Sequence, residues 1–170
     1  MSRLVEIEEE NYGSNSTMMH FQPLQLRPPP PPTLPPPPPN LTPQQLKRRH
    51  VIAAIVHSEN SYVATLQRLV NGYKKPLEES SPPILSQAKI ATLFHRLPEI
   101  LQHHTLFRVA LASCVTSWDR DEKLGDVFVG SFSKAVVLDI YSEFINNFSV
   151  AMDLAKQESK RKTALADFFK

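Results

Sequence analysis

Residues 51–73 read VIAAIVHSENSYVATLQRLVNGY, and the spacing of their apolar positions decides the fold class. Ile52, Ile55, Tyr62, Leu66, Leu69 and Tyr73 recur at steps of three, four and seven, with Val56, Val63 and Val70 beside them. That is the period of an amphipathic helix. At 100° per residue the apolar side chains span an arc of roughly 140°, and Glu59 projects inside it. His57, Asn60, Ser61, Ala64, Arg68 and Asn71 point away. A buried charge without a partner is costly, so a carboxylate in a core stripe needs a reason. Two readings follow. Glu59 pairs with a Lys or Arg on another helix of the same chain, or it is reserved for a partner protein and stays partly accessible, with no close Lys or Arg.

Outward from this helix, the whole chain has 170 residues, 21% charged and 41% hydrophobic, with a formal net charge of +2. One modest domain plus a tail fits, and the charge balance lacks the basic excess of a nucleic-acid binder. The single cysteine, Cys114, excludes a disulfide framework or a zinc quartet within the chain and suits a reduced, intracellular compartment. Glu6, Glu8, Glu9 and Glu10 follow Met1 where a secretory signal would carry basic and apolar runs. The expectation is a cytoplasmic protein whose membrane contact is at most peripheral, and whose glycosylation-like triplets at Asn15, Asn40 and Asn147 are coincidental.

Residues 1–41 are acidic, Asn/Ser-rich and then Pro-rich, with too little periodic apolar content to offset the entropy of ordering. They read as a disordered tail. Pro28 to Pro32 and Pro35 to Pro39 have fixed φ and no backbone donor, which favours a stiff polyproline II segment. Leu34-Pro35-Pro36-Pro37-Pro38 resembles a ligand of EVH1 domains, and the five-proline runs also suit profilin or WW domains. For an SH3 domain the Arg27-led register is flawed by Thr33. A rigid spacer without a partner is the other reading.

From Thr42 the pattern is helical to the end, so the unit 42–170 is expected to be all-α. Thr42-Pro43-Gln44-Gln45 supplies an N-cap, a proline at the first position and a reciprocal Gln at the third. The first helix is expected to run to Lys75, with Pro76 and Pro82-Pro83 enforcing a loop. Ser86 caps a shorter helix carrying Ile90, Leu93 and Phe94, and Pro98 restarts the next, which repeats at Ile100, Leu101, Leu106, Val109, Leu111, Cys114 and Trp118. Asp119 to Lys123 reads as a solvated turn. Leu124 to Phe132 forms a short helix, Val136 to Leu154 a long one, Ser159 to Lys162 a polar break, and Ala164 to Phe169 the start of another. Few glycines and no alternating pattern flanked by turns leave no case for strands.

This series of helices resembles a known module. Ile55-Val56-His57-Ser58-Glu59-Asn60-Ser61-Tyr62-Val63 with Leu66 is similar to the first conserved block of the Dbl-homology (RhoGEF) domain, with Ser58 in place of the usual Thr. Leu124-Gly125-Asp126-Val127-Phe128, followed by Tyr141, Phe144, Asn147 and Ala151, is similar to the second. The run from Ala110 through Trp118 and from Val129 through Lys134 to Asn147 looks closest to the Rho guanine nucleotide exchange factor 10 type, and the likeness covers about residues 46–170. The resemblance implies an elongated helical bundle that exchanges GDP for GTP on a Rho-family GTPase, RhoA-like first. It also implies a mechanism of binding rather than covalent catalysis, with no cofactor and a link to actin regulation. Glu59 matches the family glutamate that contacts switch I, with Ser58 and Tyr62 flanking it; Tyr62 also reads as core, and Gly125, Asp126 and Phe128 as architecture. The family's third block, which carries much of the switch II contact on a central helix, would follow Phe169, whereas the chain stops at Lys170. A fragment or truncated isoform with impaired exchange and an open apolar groove is the expectation, and a proline-rich scaffold protein with a silent helical module is the alternative.

The other constellations carry less. His95, His103 and His104 are expected to be solvated or capping, since adjacent His103 and His104 diverge by about 100° and cannot share a metal unaided. Lys47-Arg48-Arg49 and Lys160-Arg161-Lys162 read as solvated helix ends.

Overall fold

The computed structural model describes residues 33–170. Disorder expected for the tail therefore lies, up to residue 32, outside the described residues. Every regular element among those residues is helical. They are α1 (Pro43–Gln67), a π-helical segment (Arg68–Lys74), α2 (Lys75–Glu79), α3 (Gln87–Leu93), α4 (Leu97–Thr116), α5 (Trp118–Asp121), α6 (Gly125–Phe132), α7 (Ala135–Arg161) and α8 (Thr163–Phe168).

The starts follow from local chemistry. Thr42 Oγ1 accepts the Gln45 amide at 3.1 Å, Gln45 Oε1 accepts the Thr42 amide at 2.9 Å, and Pro43 occupies the first position, so the capping box read from the sequence is formed. Ser86 Oγ accepts the Lys89 amide at the start of α3. Between α3 and α4 the chain turns through Arg96 in the left-handed region, φ 63°, and Pro98 sits in the first turn of α4, where no amide is needed.

Pro76 does not end the first helix. Helical backbone continues to Glu79, and the loop begins at Ser80. A proline inside an α-helix removes one amide and collides with the preceding turn; the π-helical turn just before Pro76 widens the spiral and accommodates both.

α1 and α4 pack against each other in antiparallel register, α3 and α7 do the same, and α4 also touches α6 and α7. Two apolar clusters result. One joins Ile52 and Val56 of α1 to Phe107, Leu111 and Val115 of α4 and Trp118 of α5. The other joins Leu66, Leu77, Leu85, Ile90, Phe94, Leu97, Ile100 and Leu165. On both α1 and α4 the seam between the clusters is polar: Glu59 on one helix, His104 on the other.

The segment Asp119 to Lys123 is not a solvated turn. Asp119 takes Arg49 Nη1, and Glu122 takes Arg48 Nη1 at 2.7 Å, while the Arg48 guanidinium lies over the Trp118 ring. The basic run Lys47-Arg48-Arg49 is accordingly no free patch, because two of its three charges clamp α1 to α5. Part of the tail is ordered as well. Leu34 packs on the first cluster, and the Pro35 carbonyl accepts Arg49 Nη2 at 2.6 Å, so the packed unit begins before Thr42.

Candidate functional site

Glu59 lies near the middle of α1 with its side chain 11% exposed. Its Oε1 is 2.7 Å from Nδ1 of His104, a residue 5% exposed in the interior of α4. A carboxylate only accepts, so Nδ1 carries the proton. Nε2 of the same ring meets the Tyr141 hydroxyl of α7, and with Nδ1 as donor, the phenol O–H donates to Nε2. Three helices thus contribute one member each to a phenol–imidazole–carboxylate chain. Glu59 Oε2 has no hydrogen bond among the described residues.

Aromatic rings fix the imidazole. Tyr62 stands edge-on to His104 at 4.7 Å between centroids, and Phe132, Tyr141 and Phe107 lie at 5.7, 5.9 and 6.2 Å. Burial, then the Glu59 carboxylate, push the Tyr62 phenol above its ordinary range. Burial and the neighbouring His104 push His103 down. Next to Glu59 opens a hollow of about 540 Å³, lined among others by Ile55, Ser58, Phe107, Phe128 and Phe132. Glu59 is the one carboxylate among its lining residues, and Ser58 on its rim is exposed.

The expected site residues are therefore partly brought together. Ser58, Glu59 and Tyr62 share one face of α1, and Tyr62 is 37% exposed, at the surface while stacking inward. Among the described residues Glu59 meets no Lys or Arg, yet it is neither unpaired nor widely accessible, because a buried histidine holds it at 2.7 Å and its side chain is 11% exposed. The expectation that the histidines are solvated fails for His104, which is buried and doubly bonded; His95 is exposed beside Glu143 at 3.1 Å. The signal for His104 was the same one that marked Glu59. Leu97, Ile100, His104, Phe107, Leu111 and Val115 are the buried positions of α4 at steps of three and four, and a histidine stands in that stripe.

The proline-rich residues lie apart. Leu34 and Pro35 are half-buried, Pro35 on Arg49, which lies ten residues or roughly 15 Å along α1 from Glu59, whereas Pro36, Pro37 and Pro38 are exposed. The leucine that heads the EVH1-like motif is thus engaged by the chain's own helices. A second apolar hollow, of about 510 Å³, runs between Leu69 and Tyr73 on one side and Phe144, Phe148, Met152 and Phe169 on the other. Burial and nearby Asp121 and Asp126 raise the Cys114 thiol, which disfavours the thiolate. No described helix is long and apolar enough to cross a membrane.

Comparison with known proteins agrees with this architecture. The RhoGEF domain family matches residues 51–170. Human Rho guanine nucleotide exchange factor 10 is 49% identical over 130 residues, 76% of this chain and 10% of that protein. The bovine Rho guanine nucleotide exchange factor 10-like protein is equally similar, 49% over the same coverage. Mouse Rho guanine nucleotide exchange factor 17 is 35% identical over 74% of this chain and 6% of its own length. The chain thus spans about a tenth or less of these relatives. An all-helical unit with both conserved blocks in order on α1 and on α6–α7, matched by the family over most of its length, belongs to the RhoGEF (Dbl-homology) family.

Proposed function

We propose that the helical unit binds a Rho-family GTPase, RhoA-like first, and promotes GDP release by stabilising the nucleotide-free state, with Glu59 as the contact to switch I and Ser58 and Tyr62 beside it. The observation that carries this reading is a carboxylate held at the rim of an apolar hollow with one oxygen that has no hydrogen bond among the described residues. Such a group suits a partner that brings both an apolar side chain and a hydrogen-bond donor. The protein acts in the cytoplasm as a regulator of a GTPase rather than as a covalent catalyst, and the chemistry needs no cofactor of its own.

Residues 1–170 alone exchange nucleotide weakly. Phe148 and Met152 lie exposed beside half-buried Tyr73 and Phe144, and interface energy concentrates in a few well-packed residues that depend on a supported helix surface. A fluorescent-GDP release assay on RhoA, Rac and Cdc42 tests both statements. It compares this chain, a chain extended through the family's third block, and the extended chain carrying Glu59→Ala. Activity is expected in the extended chain, most of it lost with Glu59→Ala, and near-background release from the 170-residue chain. An inactive extended chain would favour the proline-rich scaffold reading.

For the tail we propose weak binding of Leu34 to Pro39 to an EVH1 domain or profilin, in competition with the contacts of Leu34 and Pro35 to the helical unit. A labelled peptide of residues 23–41 should bind more tightly than the whole chain, and Pro36→Ala/Pro37→Ala should abolish binding. Equal binding of the two peptides leaves only a spacer.

A further inference from the structure

We infer that His104 and Tyr141 are positioning residues for Glu59: the hydrogen-bond chain running from the α7 phenol through the α4 imidazole holds the carboxylate in the orientation that meets the GTPase. The inference rests on the reading of Glu59 as the partner contact.

A glutamate on an exposed helix face samples many rotamers, and ordering it on binding opposes association. Here the ordering is done beforehand. Oε1 is committed to Nδ1 at 2.7 Å, which turns the free Oε2 away from the imidazole. The imidazole cannot rotate away, because Tyr62, Phe107 and Phe132 enclose it and Tyr141 holds its far nitrogen. Tyr141 has a second effect. In the neutral ring its O–H can donate to Nε2, a bond that favours the tautomer with the proton on Nδ1, the side facing Glu59. The chain also sits at the seam between the two apolar clusters, so it ties the surface of α1 to both α4 and α7. Any shift of α7 against α4 is transmitted to the carboxylate through one ring.

The two side chains that can replace an imidazole separate positioning from mere structural support. Asn places its amide near Nδ1 and can still donate to Glu59; Gln places its amide near Nε2 and reaches Tyr141 instead. We would measure affinity of the chain extended through the family's third block for nucleotide-free RhoA by biolayer interferometry, alongside Tm, for wild type, Glu59→Gln, His104→Asn, His104→Gln, Tyr141→Phe and the Glu59→Gln/His104→Gln pair. His104→Gln should weaken binding about ten-fold or more, the size of one hydrogen bond to a charged group, and His104→Asn should recover most of that loss. Tyr141→Phe should fall between them, and the double variant should bind no worse than Glu59→Gln alone, since both remove one arrangement. Long-range ¹H–¹⁵N spectra of wild type should show the proton on Nδ1 of His104. Equal losses in the Asn and Gln variants that follow Tm, or a ring protonated only at Nε2, would overturn the inference while leaving Glu59 as the contact. Unchanged binding in Glu59→Gln, or no binding by wild type, would overturn the contact and the inference together.

Discussion

Glu59 and His104 show how far single residues could be read. The hydrophobic stripe of α1 singled out Glu59, but not what would hold it, because the pairing runs between helices 45 positions apart. Glu158 is a comparable case near the end of α7. It is buried and meets Lys89 of α3, with Lys162 at 3.7 Å, and the hydrogen bond from Lys89, then the charges of Lys89, Lys162 and Arg161, hold its carboxyl below the ordinary 4.5. A depressed folded-state value stabilises the fold fully above the unfolded value and loses that contribution as pH falls through the folded one. The Tm gap between wild type and Glu158→Gln should therefore be largest near pH 7 and shrink below pH 4.5; thermal melts from pH 7 to 3 check this. A gap that stays constant would show that the Lys89 contact contributes nothing ionic. Gly130 is exposed on α6, and a Cβ added there meets nothing within 4 Å. Gly130→Ala should raise stability by about 0.5–1 kcal/mol in urea titration, through helix propensity alone.

Among the elements, starts were easier to read than ends. The capping box at Thr42 is a local arrangement of four residues and appears as the sequence suggests; Thr42→Ala should cost about 1 kcal/mol by urea unfolding, with its effect confined to the first turns of α1 in hydrogen exchange. The far end of the helix was misread, because Pro76 is ordinarily a stop and the π-helical turn that admits it has no sequence signature of its own. Arg49 is the element-level surprise. Its guanidinium joins α1 to Asp119 of α5 and to the Pro35 carbonyl, so one buried side chain holds three segments. Arg49→Ala should destabilise the unit by about 2–3 kcal/mol, and Arg49→Lys, which offers no planar fork, should recover only part of it. Protease cleavage near Pro35 should accelerate in both variants; unchanged cleavage would mean that the tail contact is incidental.

In the molecule as a whole, the antiparallel fit of α1 and α4 organises both clusters, so the deepest positions on that contact carry the stability. Leu111 is fully buried there, and Leu111→Ala should cost about 2–5 kcal/mol by denaturant unfolding. The same fit explains why the candidate surface depends on more than α1. The hollow beside Glu59 is lined by Phe107 of α4 and Phe128 and Phe132 of α6, of which sequence reading took Phe128 as architecture and did not single out Phe107.

The helical class, the start of α1, the short and long helices after it and the place of Glu59 in an apolar stripe were all legible from residue order, because each depends on the 3.6-residue period or on a cap within one turn. The family was legible for a related reason: its motif residues are spaced along single helices. Which charges meet was not legible. The His104–Tyr141 chain, the Arg49 clamp and the docking of Leu34 join residues far apart in the chain, and periodicity states which face a side chain occupies but not what lies opposite it. That information exists only once the helices have packed.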